Sequence, residues 1–117
     1  MGEKHALITG SSRGIGFGLA TDFLENGYNV TISGTTEAST MSAFQKLTKQ
    51  FSSDNIFPQH CNVTKYEEVE NLWNAAFQKF GQIDIWVNNA GVGQANKYFW
   101  EMQKEAFDDI IDIISKA

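Results

Sequence analysis

The apolar positions along the chain switch between two periods. Residues 5–9 (HALIT) form a short apolar run that stops at Gly10, the pattern of a strand buried on both faces. Over 15–26, Ile15, Leu19, Ala20, Phe23 and Leu24 recur at helical spacing, and Gly27 follows where a helix C-cap is expected. Residues 28–33 (YNVTIS) are rich in β-branched side chains and predict a second strand, broken by Gly34, Thr35 and Thr36. A second helix is predicted over 38–51, with Met41, Phe44, Leu47 and Phe51 on one stripe, and a loop over 52–55. Residues 56–61 predict a third strand, at a sheet edge because Pro58 cannot donate to a ladder. Thr64 and Glu67 have the spacing of a capping box. The helix they would open carries Val69, Leu72, Trp73, Ala76, Phe77 and Phe80 on its apolar face and ends at Gly81. Residues 83–87 (IDIWV) predict a fourth strand and 88–97 a polar, glycine-containing loop. A final helix is predicted over 105–116, bringing Phe107, Ile110, Ile111 and Ile114 together.

Short strands alternating with helices of about a dozen residues point to right-handed crossovers and a parallel sheet. The expected fold is α/β, a Rossmann-type doubly wound sheet with strand order 3-2-1-4 and flanking helices. With four strands predicted, residues 83–87 would form an open parallel edge carrying Trp86, and the final helix would expose an apolar stripe. Both features predict a homo-oligomer, since long apolar edges invite pairing with another chain.

Composition narrows the function classes. At 117 residues, 42% hydrophobic and 20% charged, the chain suits one globular domain and excludes disorder of the whole. Fourteen acidic against nine basic side chains, net −5, leave no basic stripe for nucleic acid. No apolar run approaches the roughly 20 residues that span a bilayer, and no signal peptide is read at the N-terminus. A lone cysteine, Cys61, fits a reducing, cytoplasmic compartment. His60 stands beside it, but two ligands without a second pair do not make a zinc site.

The chemistry lies where the first strand meets the first helix. Thr9, Gly10, Ser11, Ser12, Arg13, Gly14, Ile15 and Gly16 run from one into the other. Gly10 and Gly14 permit a tight turn and close approach of backbone to a pyrophosphate, and Gly16 lets the helix pack closely on the sheet. The free amides and positive dipole end of the helix then face the phosphates. No Gly-Lys-Ser/Thr follows, which disfavours a nucleotide-hydrolysing P-loop.

This Thr-Gly-x-x-x-Gly-Ile-Gly run resembles the fingerprint of the short-chain dehydrogenase/reductase family. Asn88, Asn89, Ala90 and Gly91, directly after the fourth strand, are similar to that family's Asn-Asn-Ala-Gly signature, and Cys61 to Thr64 resemble its Asp-Val-Thr segment. The resemblance covers essentially the whole chain and aligns it with the family's N-terminal, dinucleotide-binding half. It implies hydride transfer between a nicotinamide and a small carbonyl or alcohol substrate. It also implies that Gly10, Ser12, Arg13, Ile15 and Gly16 surround the pyrophosphate and adenosine. Asn62 (where the family usually has aspartate) and Val63 would line the adenine pocket, with the Asn62 carbonyl oxygen receiving the adenine amino group. Asn89, Ala90 and Gly91 would lie along the nicotinamide-side ribose.

The end of the second strand favours NADP(H) over NAD(H). An acid there would bond a ribose 2′-hydroxyl and repel a 2′-phosphate. Here no acid precedes Glu37, Gly34 leaves room, Thr35 and Thr36 offer hydroxyls and Arg13 supplies charge. The family's catalytic Tyr-x-x-x-Lys is not found: Tyr28, Tyr66 and Tyr98 are followed at the fourth place by Ile32, Glu70 and Met102. By the same alignment Ile114 stands where the family has an asparagine. The expectation is a cofactor-binding half, inactive alone; the alternative is a truncated, non-catalytic relative that binds a nucleotide or assembles with itself.

Overall fold

The computed structural model describes residues 4–89 together with the backbone of 111–115. The elements in chain order are β1 (His5–Thr9), α1 (Gly14–Glu25), β2 (Asn29–Ser33), α2 (Glu37–Leu47), a single 3-10 turn (Ser53–Asn55), β3 (Ile56–Pro58), α3 (Tyr66–Phe80), β4 (Ile85–Asn88) and β5 (Ile111–Ser115). They form one parallel sheet of order β3-β2-β1-β4-β5. The expected 3-2-1-4 order is therefore present, with a fifth strand added outside β4.

Alternation along the strands sorts the core into two layers. Leu7 of β1 and Trp86 of β4 pack with Val69, Leu72, Trp73 and Ala76 of α3. Ala6, Ile8, Val30, Ile32, Ile85 and Val87 pack on the other side with Ala20 and Leu24 of α1 and Ala43 and Leu47 of α2. With helices on both faces, every residue of β1 is buried, which is why its sequence reads as an unbroken run.

Three helical expectations are corrected. On α2 the buried stripe is Thr40, Ala43 and Leu47, and Met41 is exposed. Thr40 is buried at little cost because its hydroxyl donates to the Thr36 carbonyl (2.7 Å) and accepts from the Gly34 N–H (2.9 Å), clamping α2 to the end of β2. On α1, Ile15 stands 63% exposed at the first turn, while Gly16, Ala20 and Leu24 are buried. The Thr64–Glu67 capping box does not form. Lys65 is the N-cap of α3 without a side-chain bond, and Thr64 turns back onto Asn62.

The final helix is also corrected, since residues 111–115 are a strand. Three isoleucines in five residues satisfy a helical stripe and a β-branched strand equally, and the free edge of β4 selects the strand. β5 covers the β4 edge that was one of the two grounds for expecting a homo-oligomer, so β4 has no open side for pairing. The rest of that predicted helix, the loop from 90 to 97 and the pair Phe99 and Trp100 lie outside the described residues.

At the amino end of the sheet, His5 is fully buried. Its Nδ1 faces the Gln82 carbonyl at 2.6 Å, an oxygen that only accepts, so Nδ1 carries the proton. Nε2 accepts from the Thr31 hydroxyl at 2.7 Å, and the Phe80 ring meets the imidazole edge-on. Burial pushes the imidazole pKa down to about 4, against smaller opposing effects from the Gln82 carbonyl and Asp84. The folded chain thus keeps His5 neutral while the unfolded chain protonates it near pH 6.5. Stability is full above pH 6.5 and falls as pH drops toward 4, by about 3 kcal/mol from this residue. Urea unfolding of the parent and of His5→Asn across pH 4–7 measures it: the parent should lose this increment and the variant should lack that slope.

Candidate functional site

The site is assembled at the carboxyl ends of β1, β2 and β4. Gly10 (φ 63°) and Gly14 (φ 65°) both take left-handed backbone, turning the chain from β1 into α1 within four residues. Arg13, the N-cap, makes no side-chain cap bond, and no acidic residue stands in the first turn of α1. Among the described residues, then, neither the cap side chain nor an acid of the helix's own first turn takes up these amides, the arrangement that binds anions.

Gly16 is what lets this turn close. A Cβ there would run into the Gly10 carbonyl oxygen and come within 2.8 Å of Asn89 Nδ2. Asn89 Nδ2 itself donates to the Gly10 carbonyl at 3.1 Å, tying the end of β4 to the glycine turn. The Thr9 hydroxyl donates to Asn88 Oδ1 at 3.2 Å one residue below.

Ser11, which sequence reasoning passed over, ties the turn to β2. Its hydroxyl donates to the Ile8 carbonyl (2.8 Å) and accepts from the Ser33 N–H (2.8 Å), and its own N–H donates to the Ser33 carbonyl (2.9 Å). The signal available was a serine just past a strand end, a residue type prone to bond nearby backbone. Gly34 lies where two hydroxyls converge: a Cβ there would meet Ser39 Oγ at 2.8 Å and Ser12 Oγ at 2.9 Å. The room expected at Gly34 is therefore not there: Gly34 is buried, and Ser12 and Ser39 already fill the space a Cβ would take. The buried Ser33 hydroxyl beside it finds no hydrogen-bond partner among the described residues.

The structure brings Gly10, Ser12, Arg13, Ile15, Gly16 and Asn89 to this one end of the sheet, with Arg13, Ile15 and Thr35 exposed. Val63 is buried in the core against α3, so its side chain anchors the loop after β3. Ala90 and Gly91 lie outside the described residues. Cys61 is buried in the same core layer, and burial, with Glu68 adding, pushes its thiol up to about 12, so it is inert at neutral pH. His60 beside it is exposed, and no group of three or more His, Cys, Asp or Glu side chains placed to hold a metal occurs among the described residues.

A cavity of about 380 Å³ lies between α2, β3 and α3, lined by Glu37, Thr40, Met41, Pro58, Gln59, His60, Glu68 and Asn71. None of the expected cofactor residues lines it.

The sequence matches the short chain dehydrogenase family over residues 4–117. It is 33% identical over 111 residues to a 3α-hydroxysteroid dehydrogenase of Mediterraneibacter gnavus, covering 95% of this chain and 44% of that protein. Among solved structures, it resembles 3-ketoacyl-(acyl-carrier-protein) reductase from Brucella melitensis complexed with NADH, with TM-score 0.68, 34% identity, and 77% of this chain and 35% of that one covered. It also resembles an actinorhodin polyketide ketoreductase with NADPH, with TM-score 0.71, 27% identity, and 77% and 34% covered. The chain belongs to the short-chain dehydrogenase family. It spans less than half the length of these relatives.

Proposed function

We propose that these residues are the dinucleotide-binding part of an oxidoreductase that moves a hydride between a nicotinamide and a small carbonyl or alcohol substrate, with NADP(H) preferred to NAD(H). The observation that carries the reading is the cradle at Gly16: a turn with no room for a Cβ, opening onto helix amides that, among the described residues, no capping side chain or first-turn acid takes up. NADH in one structural neighbour and NADPH in another support a nicotinamide dinucleotide. Bound there, such a cofactor supplies the hydride.

In this reading Gly10, Ser12, Arg13, Ile15 and Gly16 hold the pyrophosphate and adenosine. Thr35 and the hydroxyls of Ser12 and Ser39 accept the 2′ substituent, and Arg13 adds charge toward it. Asn62 and the backbone at Val63 flank the base, and Asn89, Ala90 and Gly91 flank the second ribose. The chain's three tyrosines lack a lysine at the fourth following place, so these 117 residues supply binding and orientation and do not turn substrate over alone.

Titration of tryptophan fluorescence with NADPH and NADH tests this. NADPH should bind about tenfold tighter, and Arg13→Ala should remove most of that advantage, the effect of one charge-assisted contact. NADH binding more tightly than NADPH would refute the preference, and failure of both to bind would refute the cofactor reading.

A further inference from the structure

We propose that Asn62 meets the purine base of the dinucleotide as a hydrogen-bond donor, so that the site takes a 6-oxo purine at least as well as adenine. The inference rests on the cofactor reading above. In a doubly wound sheet the ligand lies outside the carboxyl ends of the strands, with the pyrophosphate at the helix after β1 and the ribose at the end of β2. The base, roughly one strand spacing of about 4.8 Å further along, meets the loop that follows β3. Asn62 is in that loop.

The loop is held at several backbone groups. The Cys61 N–H donates to the Gly34 carbonyl (2.9 Å), the Asn62 N–H to Glu68 Oε1 (2.8 Å) and the Lys65 N–H to the Asn62 carbonyl (3.0 Å). The Asn62 side chain is held as firmly. Its Oδ1 accepts from the Thr64 N–H at 3.0 Å and from the Thr64 hydroxyl at 2.6 Å. A backbone N–H can only donate, so the atom facing it is the oxygen, and the orientation of the amide is fixed by chemistry. A carbonyl oxygen has two lone pairs, and both are taken. The carbonyl expected to receive the adenine amino group is therefore already satisfied. What remains is Nδ2 with two N–H donors, on a half-buried residue, bonded to nothing among the described residues.

Adenine presents an amino donor at its 6 position beside the N7 acceptor, whereas a 6-oxo purine presents acceptors at both. Nδ2 therefore matches the 6-oxo edge and opposes the 6-amino group donor to donor. Aspartate at the same place would keep one oxygen for Thr64 and set a second acceptor where Nδ2 stands, which reverses the preference without disturbing the turn.

The test is a fluorescence titration of the chain and of Asn62→Asp with NADPH and with reduced nicotinamide hypoxanthine dinucleotide phosphate, with urea unfolding of both proteins as the control for folding. The parent should bind the hypoxanthine form as tightly as NADPH or more tightly. Asn62→Asp should shift the ratio about tenfold or more toward adenine, the worth of replacing an opposed pair with a matched one. A parent that prefers adenine tenfold, or a ratio that the substitution leaves unchanged, overturns the assignment while the cofactor reading stands. Binding of neither dinucleotide by the parent overturns both.

Discussion

Gly16→Ala is expected to destabilise the fold by about 1–3 kcal/mol and to weaken dinucleotide binding about 100-fold. The added methyl meets the Gly10 carbonyl, and that carbonyl has nowhere to go. Gly10 is at a positive φ in a turn whose next residue is bonded twice to β2, and the oxygen itself is the acceptor for Asn89 Nδ2. Relief must come from lifting α1 away from the sheet or from opening the turn, and either moves the first-turn amides off the position where a pyrophosphate would sit. Gly18→Ala is the control, because nothing lies within 4 Å of its Cβ position and alanine is the better helix former there. Urea unfolding and NADPH titration of both variants measure the difference. A Gly16→Ala protein that unfolds and binds like the parent would show the contact to be slack.

Trp86→Ala should have the largest effect on stability, about 3–5 kcal/mol. Trp86 is fully buried in β4, beside Leu7 of β1 in the sheet and 4.5 Å from the Trp73 ring of α3, centroid to centroid. Its removal empties the middle of the α3 layer, where two rigid elements meet and neither can settle into the space. Against the 5–15 kcal/mol of a typical domain, the variant should be marginal at room temperature. Trp86→Phe, which keeps a ring at the site, should lose far less. A midpoint shift worth under 1 kcal/mol for the alanine variant would mean that α3 collapses onto the strand after all.

The contrast between these two residues shows what the sequence could and could not tell. β1 and the glycine turn were legible because burial on both faces and the need for positive φ leave direct marks on residue choice. The same holds for α3, whose Val69, Leu72, Trp73 and Ala76 repeat with a clear helical period. On α2 the period pointed to Met41, because a hydropathy stripe has no way to register that Thr40 can be buried once its hydroxyl has two partners. At 111–115 the isoleucines were ambiguous between helix and strand, and a neighbour more than twenty residues away, the free edge of β4, decided it. The Thr64–Glu67 spacing was real, but Asn62 offered Thr64 an acceptor two residues back, and the local turn outcompeted the cap. In the site, residue identities were readable and hydrogen-bond directions were not. Asn62 could be named from sequence, while which half of its amide was left for a ligand depended on Thr64.

The bond between Asn89 and Gly10 spans 79 residues, as does the one between Thr9 and Asn88. Contacts so distant in sequence are the late ones in folding, because loop closure must precede them. While the chain is being synthesised, the phosphate-facing turn is made among the first residues to emerge, yet it cannot lock until the fourth strand has followed and docked. Its binding surface is thus completed by one of the last described segments to arrive, and a chain stalled before that strand would carry the glycine fingerprint without the geometry that gives it use.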